Sequence, residues 1–309
     1  MKKNNKKLIY IWANDFSNSR GEGILARQYV EDLRKFTSHE IYINGIEYSK
    51  IKKKKLFIKT SFFHNYLKPF LGVIYIWINY LKLHKTIYLN YLPLWNFLIF
   101  FFLPSKTILG PITGGANFNK DKSFNYFIRR YFFPLLYFSS ISLINYKYKK
   151  ILFSTDLLKK YLKNNKNYVF NYCINLFKKK TIKVKKKYDL IFYYRKHKNK
   201  NNTKLKILIK KLLDHKLKII IIGDNPHISN AKYLGNLDRE KVYNNISKAK
   251  YAINNSENIL SIFSIDCLSC GTKVINFGHY KSNEKFFKKS DLINVNEQKI
   301  CKQVLKILK

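Results

Sequence analysis

Residues 250–277 read KYAINNSENILSIFSIDCLSCGTKVINF, and the fold is decided here. Tyr251 to Ile253 is a short apolar strand, and the polar turn NNSEN follows it. The apolar-rich run from Ile259 to Cys270 is predicted helical, with Gly271 ending it and a second strand running from Lys273 to Phe277. Strand, turn, helix and strand with so few spare residues describe a βαβ crossover in a parallel sheet. Ile262, Ile265 and Ser269 fall at helical spacing with Leu268 beside them, which gives the helix a face to pack on that sheet. A strand end feeding a helix start is where parallel sheets hold ligands, and the unpaired amides there favour anions. The candidate ligand-binding groups are Glu257, Asn258, the amides of Asn258, Ile259, Leu260 and Ser261, and Asp266 further along the helix.

The whole chain has room for about two domains of ordinary size. Its 309 residues are 46% hydrophobic, a globular composition. Charge is the outlier: 60 Lys and Arg against 18 Asp and Glu give a formal +42. Such a field attracts polyanions, either nucleic acid or an anionic lipid leaflet. The basic runs are scattered, without the basic and stacking-aromatic interleaving of a nucleic-acid module, so no nucleic-acid partner is expected. Cys267 and Cys270 form a CxxC, but no second pair or histidine cluster completes a zinc site. They read as small core residues on the helix, and no metal is expected. The apolar run Leu8 to Ala13 is too short for a signal peptide and reads as the first strand. A reducing cytoplasmic setting follows, with peripheral attachment to the membrane as an option.

Three further stretches place glycines or cations just beyond a strand. After Leu8–Ala13, Gly21 and Gly23 frame a turn into a helix from Ile24 to about Lys35. After the strand Lys106 to Leu109 comes GPITGG, in which Gly110, Thr113, Gly114 and Gly115 shape a loop with free amides. The strand Leu190 to Tyr194 delivers Arg195, Lys198 and Lys200, cations suited to a diphosphate, the arginine forking onto two oxygens. Between these, Tyr91 to Leu103 is too short to span a bilayer and reads as a buried crossover helix or as a face at the bilayer surface. Ser154 reads as the cap of a helix to Leu162, and Asp238 as another cap. The basic run Lys178 to Lys187 reads as a linker, dividing the chain into domains 1–180 and 181–309.

The pattern of Ser256-Glu257, an acid at Asp266, and Cys270-Gly271 before an apolar strand resembles the donor-sugar signature of family-4-type retaining glycosyltransferases. The likeness covers nearly the whole chain in order and is strongest from Tyr188 to Phe277. The family's motif has an acid at each end of a seven-residue spacing. Here Asp266 takes the second place, Asn258 stands in the first, and Glu257 lies one residue earlier. Many relatives place a His near the end of the GPITGG strand, and this chain has none there, so no catalytic side chain is assigned. The resemblance implies an α/β chain of two Rossmann-like domains facing across a cleft, the GT-B arrangement. It implies metal-independent transfer of a sugar from a nucleotide-diphosphate donor to an acceptor hydroxyl, with retention and without a further cofactor. Arg195 with Lys198 or Lys200, the Gly21–Gly23 loop and the Asn258–Ser261 amides would hold the diphosphate, Asp266 the ribose, and Glu257 or Asn258 the sugar. Gly110 and Thr113–Gly115 would lie on the acceptor side. The charge and the aromatic-rich first half suit a lipid-linked or polysaccharide acceptor at an anionic membrane surface, in cell-surface polysaccharide or lipopolysaccharide assembly. The rival reading is a relative that keeps the fold as a binding or scaffold protein without catalysis.

Overall fold

The structure is a computed structural model describing residues 8–18, 21–51, 62–89, 94, 96–112, 124–178, 184–196, 202–254, 261–276 and 290–308. The chain divides into two compact units, Met1–Tyr172 and Cys173–Lys309. The division falls ahead of the basic run that the sequence suggested as the linker.

The first unit runs β1 (Leu8–Ala13), α1 (Gly21–Lys35), β2 (Glu40–Ile43), β3 (Ile46–Glu47), α2 (Tyr48–Ile51), α3 (Phe62–Leu81) and β4 (Lys85–Leu89). It continues α4 (Phe97–Phe102), β5 (Ile108–Ile112), α5 (Phe124–Lys147), β6 (Ile151–Phe153) and β7 (Tyr168–Val169). The sheet order is β3-β2-β1-β4-β5-β6-β7, parallel except for β3, which closes a tight hairpin on β2. Its strands are nearly continuous apolar runs because helices shield them, as in Ile87, Tyr88 and Leu89, all fully buried. One face is covered by α3, α4 and α5, whose Val73, Ile76, Ile99, Phe100, Ile141 and Ile144 enter a single core.

The second unit runs β8 (Tyr188–Tyr194), α6 (Asn202–Leu213), β9 (Ile219–Gly223), β10 (Lys232–Tyr233), α7 (Arg239–Ser247) and β11 (Ala249–Ile253). Then come α8 (Ile262–Ser269), β12 (Lys273–Asn276), β13 (Leu292–Asn294) and α9 (Ile300–Leu308). Strands pair in the order β10-β9-β8-β11-β12-β13, all parallel. This is the doubly wound Rossmann order, reversing direction between β8 and β11. Phe192, Ile220 and Ile221 are wholly buried between helical layers, each stabilising the unit by about 1.5–3 kcal/mol. Cys267 and Cys270 are buried free thiols in this core.

Two local expectations fail. Ser154 caps no α-helix: only the single tight turn Lys159–Tyr161 follows, with Leu158 drawn into the core. α8 starts at Ile262, because Ser261 takes the cap position, its hydroxyl accepting from the Ser264 amide at 3.1 Å. Asp238 does cap α7, accepting from the Lys241 amide at 2.9 Å.

Candidate functional site

In a doubly wound sheet, ligands bind beyond the carboxyl ends of the strands where the order reverses. In the second unit that point lies between β8 and β11, whose register pairs Phe192 with Ile253. One residue beyond β8 comes Arg195, exposed and in no ion pair among the described residues. Its backbone is fixed from both sides. The Asp224 carboxylate accepts from the Lys196 amide at 2.7 Å, while the Asp224 amide donates to the Tyr194 carbonyl at 2.8 Å. Gly223 makes this clasp possible. Its φ of +102° is open to glycine, and a Cβ there would meet the Tyr194 carbonyl oxygen at 2.2 Å.

Across the reversal, β11 ends at Ile253 and Asn254 follows. Its amide donates to the Ile275 carbonyl at 3.3 Å, extending the ladder toward β12. The side chain is 1% exposed, yet both its Oδ1 and its Nδ2 lack a hydrogen-bond partner among the described residues. Burying an unsatisfied amide costs on the order of 1–3 kcal/mol, so such groups call for an explanation. The Tyr193 ring stacks on Phe263 at 5.8 Å, joining the end of β8 to the first turn of α8.

Asp266 lies inward on α8, its side chain 5% exposed. Arg239, the first residue of α7, reaches it through Nη2 at 2.8 Å and lies over the Tyr243 ring at 5.3 Å. Burial first and the Asp266 charge second push the Tyr243 hydroxyl well above the ordinary tyrosine range. Arg239 Nε is buried without a hydrogen-bond partner among the described residues. The carboxylate expected on ribose hydroxyls is therefore already held from within the unit.

In the first unit, the corresponding reversal lies between β1 and β4. Asn14 follows β1: its Oδ1 accepts from Trp12 Nε1 at 2.9 Å and its Nδ2 donates to the Tyr88 hydroxyl at 3.2 Å. Gly21 opens α1, and Gly23 lies in its first turn. A Cβ on Gly23 would meet the Ser17 backbone at 2.5 Å, so this glycine lets the loop after β1 fold back on the helix. Gly110 departs from expectation. It lies inside β5, buried, where a Cβ would strike the Leu152 carbonyl at 2.2 Å, so it brings β5 and β6 together and is not a loop residue. Lys198, Lys200, Glu257, Asn258, Ile259, Leu260, Thr113, Gly114 and Gly115 lie outside the described residues.

No family model matches the sequence, and no curated protein matches it. Solved structures do resemble it. S. aureus MnaA bound to UDP is 14% identical, covers 98% of this chain and 88% of its own, and superposes with a TM-score of 0.57. HepE from Anabaena in complex with UDP is 9% identical, over 98% of this chain and 90% of that one, with a TM-score of 0.58. The UDP-GlcNAc 2-epimerase of Methanocaldococcus jannaschii, in complex with UDP-GlcNAc and UDP, is 12% identical over 98% and 92%, with a TM-score of 0.53. The chain has the GT-B fold. At these identities the likeness is one of architecture, two Rossmann-like units in sequence.

Within this GT-B chain, sequence reasoning passed over three residues. Asn254 is one Asn of a consecutive pair in an asparagine-rich chain, and its position at a strand end was its one signal. Asp224 stood in the Gly-Asp turn after β9, but its partner lies on another strand. Arg239 follows the cap residue of α7 and reaches Asp266 through tertiary packing. Among the described residues, no cluster of three or more His, Cys, Asp or Glu is placed to hold a metal ion.

Proposed function

We propose that this chain is a glycosyltransferase moving a sugar from a nucleotide-diphosphate donor to an acceptor hydroxyl, with retention. The observation that carries the reading is Asn254, a buried amide whose hydrogen-bonding capacity is unmet among the described residues, at the strand reversal across from Arg195. An amide both donates and accepts, as recognition of sugar hydroxyls and phosphate oxygens requires.

The demanding step is departure of the nucleoside diphosphate with its growing negative charge. Positive side chains and helix-terminal amides meet that charge without reorganising, so they are worth more in the transition state than in water. In this reading Arg195, held by the Asp224 clasp, forks onto the diphosphate. Lys198 or Lys200, the amides through Ser261 and the Gly21–Gly23 turn supplement it. The ribose hydroxyls fall to Asp266, paired with Arg239. The sugar ring falls to Glu257 or Asn258. A lipid-linked or polysaccharide acceptor at the inner face of an anionic membrane completes the scheme, in cell-surface polysaccharide or lipopolysaccharide assembly.

UDP bound to the structurally similar MnaA and HepE makes uridine the first base to test. Thermal shifts with UDP-, GDP- and ADP-sugars, at moderate salt, should show one sugar-dependent stabilisation. It should be weakened in Arg195→Ala and in Asn254→Ala. Incubation of the preferred donor with candidate acceptors should then yield a product whose anomeric configuration is retained by NMR. A flat panel, or equal shifts from every polyphosphate, sinks the donor site and leaves the non-catalytic scaffold. The likeness to a UDP-GlcNAc 2-epimerase favours one second reading. Conversion of UDP-GlcNAc to its C2 epimer without any acceptor would replace transfer with epimerisation.

A further inference from the structure

The layer formed by α3, α4 and α5 carries an outer face that does not suit water. On α3 the positions Leu67, Leu71, Ile74, Ile78 and Leu81 recur at helical spacing and are 48–72% exposed. Its opposite side is buried through Val73 and Ile76, so this helix is apolar on both faces. A surface helix ordinarily turns its polar side outward.

The neighbouring helices continue the face and hold it rigid. Lys147 of α5 donates to the Phe101 carbonyl at the end of α4, and the adjacent Tyr148 hydroxyl to the Phe100 carbonyl. From the other side, Trp77 Nε1 of α3 donates to the Phe102 carbonyl at 2.6 Å. The last carbonyls of α4 are thus satisfied by both neighbours, while the Phe101 and Phe102 rings point outward, 55% and 48% exposed. On α5, Phe132 and Leu135 are 55% and 66% exposed. Contiguous exposed apolar surface of this kind marks an interaction site.

Charge identifies the occupant. Between Glu47 and Asp156 the sequence contains one acidic residue, Asp121. Exposed Lys82 and Lys85 flank the start of β4, Lys106 precedes β5, and Lys149 and Lys150 precede β6. Because these strands are parallel, the lysines line one edge of the helical layer. An apolar, aromatic face beside a basic edge matches the boundary between acyl chains and anionic headgroups. A second copy of this chain would instead oppose one +42 molecule to another. No helix among the described residues is long and apolar enough to cross a membrane. We propose that the outer surface of α3, α4 and α5 docks the first unit onto an anionic lipid bilayer.

Flotation of the full chain with vesicles tests it. Vesicles of phosphatidylcholine with about one-third phosphatidylglycerol, at roughly 150 mM salt, should carry the protein up, and pure phosphatidylcholine should carry far less. The variant Leu71→Glu/Ile74→Glu/Ile78→Glu should lose at least about tenfold in binding, with its melting temperature unchanged because all three positions are exposed. Phe101→Ser/Phe102→Ser should weaken binding independently. Lys210→Gln/Lys211→Gln/Lys302→Gln, on the second unit, removes the same charge and should float like the parent chain. Failure of the parent chain to float overturns the proposal. So does equal loss in the apolar-face and control variants, which would reduce the effect to bulk charge. A parent chain that is dimeric in solution and made monomeric by the apolar-face variant, without binding vesicles, would assign the face to a second copy.

Discussion

Replacing Asp266 by Asn leaves the Arg239 guanidinium inside the second unit without its counter-charge. The pair is short, 2.8 Å, with side chains 5% and 24% exposed, so both ions have given up most of their water. Removing one member of a fully buried pair costs roughly 3–5 kcal/mol. The residual exposure of Arg239 puts the expected loss at the low end, about 3 kcal/mol. For a unit of this size each kcal/mol moves the midpoint by about 3–4 °C, so the melting temperature should fall by roughly 10 °C. Circular dichroism melts of the full chain without donor provide the assay. The cycle with Arg239→Met and the Arg239→Met/Asp266→Leu double variant isolates the coupling, expected to be at least about 2 kcal/mol. The double variant, with neither charge left, should recover much of the stability. A coupling below about 0.5 kcal/mol would refute the argument. Were Asp266 only a ribose ligand, Asp266→Asn would melt like the parent chain and lose nothing but the donor-induced shift.

Other consequences follow from particular contacts. Gly223→Ala should destabilise by at least about 2 kcal/mol in urea titrations, since it adds both a positive-φ penalty and a Cβ at 2.2 Å from the Tyr194 carbonyl; a neutral outcome would mean the clasp is not rigid. Thiol titration of the native chain should find Cys301 reacting first, because Cys173, Cys267 and Cys270 are buried, and burial pushes the Cys267 thiol well up; denaturation should release all four. Burial alone would raise the Asp189 carboxyl, but the hydrogen bonds from Lys250 and from the Lys218 amide outweigh it and leave it below the usual range. Its folded pKa is depressed, so its contribution is present above the unfolded value, about 4, and disappears as pH falls through the folded one. Asp189→Asn should therefore be less stable than the parent at neutral pH, and the two stability curves should converge in acid.

The sequence carried the architecture well where local pattern and tertiary packing agree. The strand at β11, the small-residue helix α8 and the closing strand β12 were legible because apolar and small residues recur at periods that only this arrangement buries. Their boundaries were less so. Ser261 competes for the cap of α8, and an apolar run alone does not show that the first residues of the run precede it. Ser154 shows the opposite failure: a good cap signal followed by a helix-compatible segment became one tight turn, since Leu158 finds its partners in the core. Arg195 was visible as a cation at a strand end. The features that give it direction were not, because the Asp224 clasp and the Asn254 amide arise when β8, β9 and β11 lie side by side. Gly110 looked like loop chemistry, yet its missing side chain serves the close approach of Leu152. A glycine-rich stretch specifies proximity without saying of what.

The margins of both sheets have a consequence for a chain so rich in tyrosine, phenylalanine and isoleucine. The first sheet ends in β3 and β7, of two residues each; the second ends in β10 and β13, of two and three. Long unpaired borders recruit strands from other molecules, and borders this short offer little template. The apolar strands that would otherwise seed fibrils are kept in the middle of each sheet, flanked by partners already hydrogen-bonded. A chain of this composition can therefore carry a greasy helical surface while its strands remain poor nuclei for amyloid-like growth.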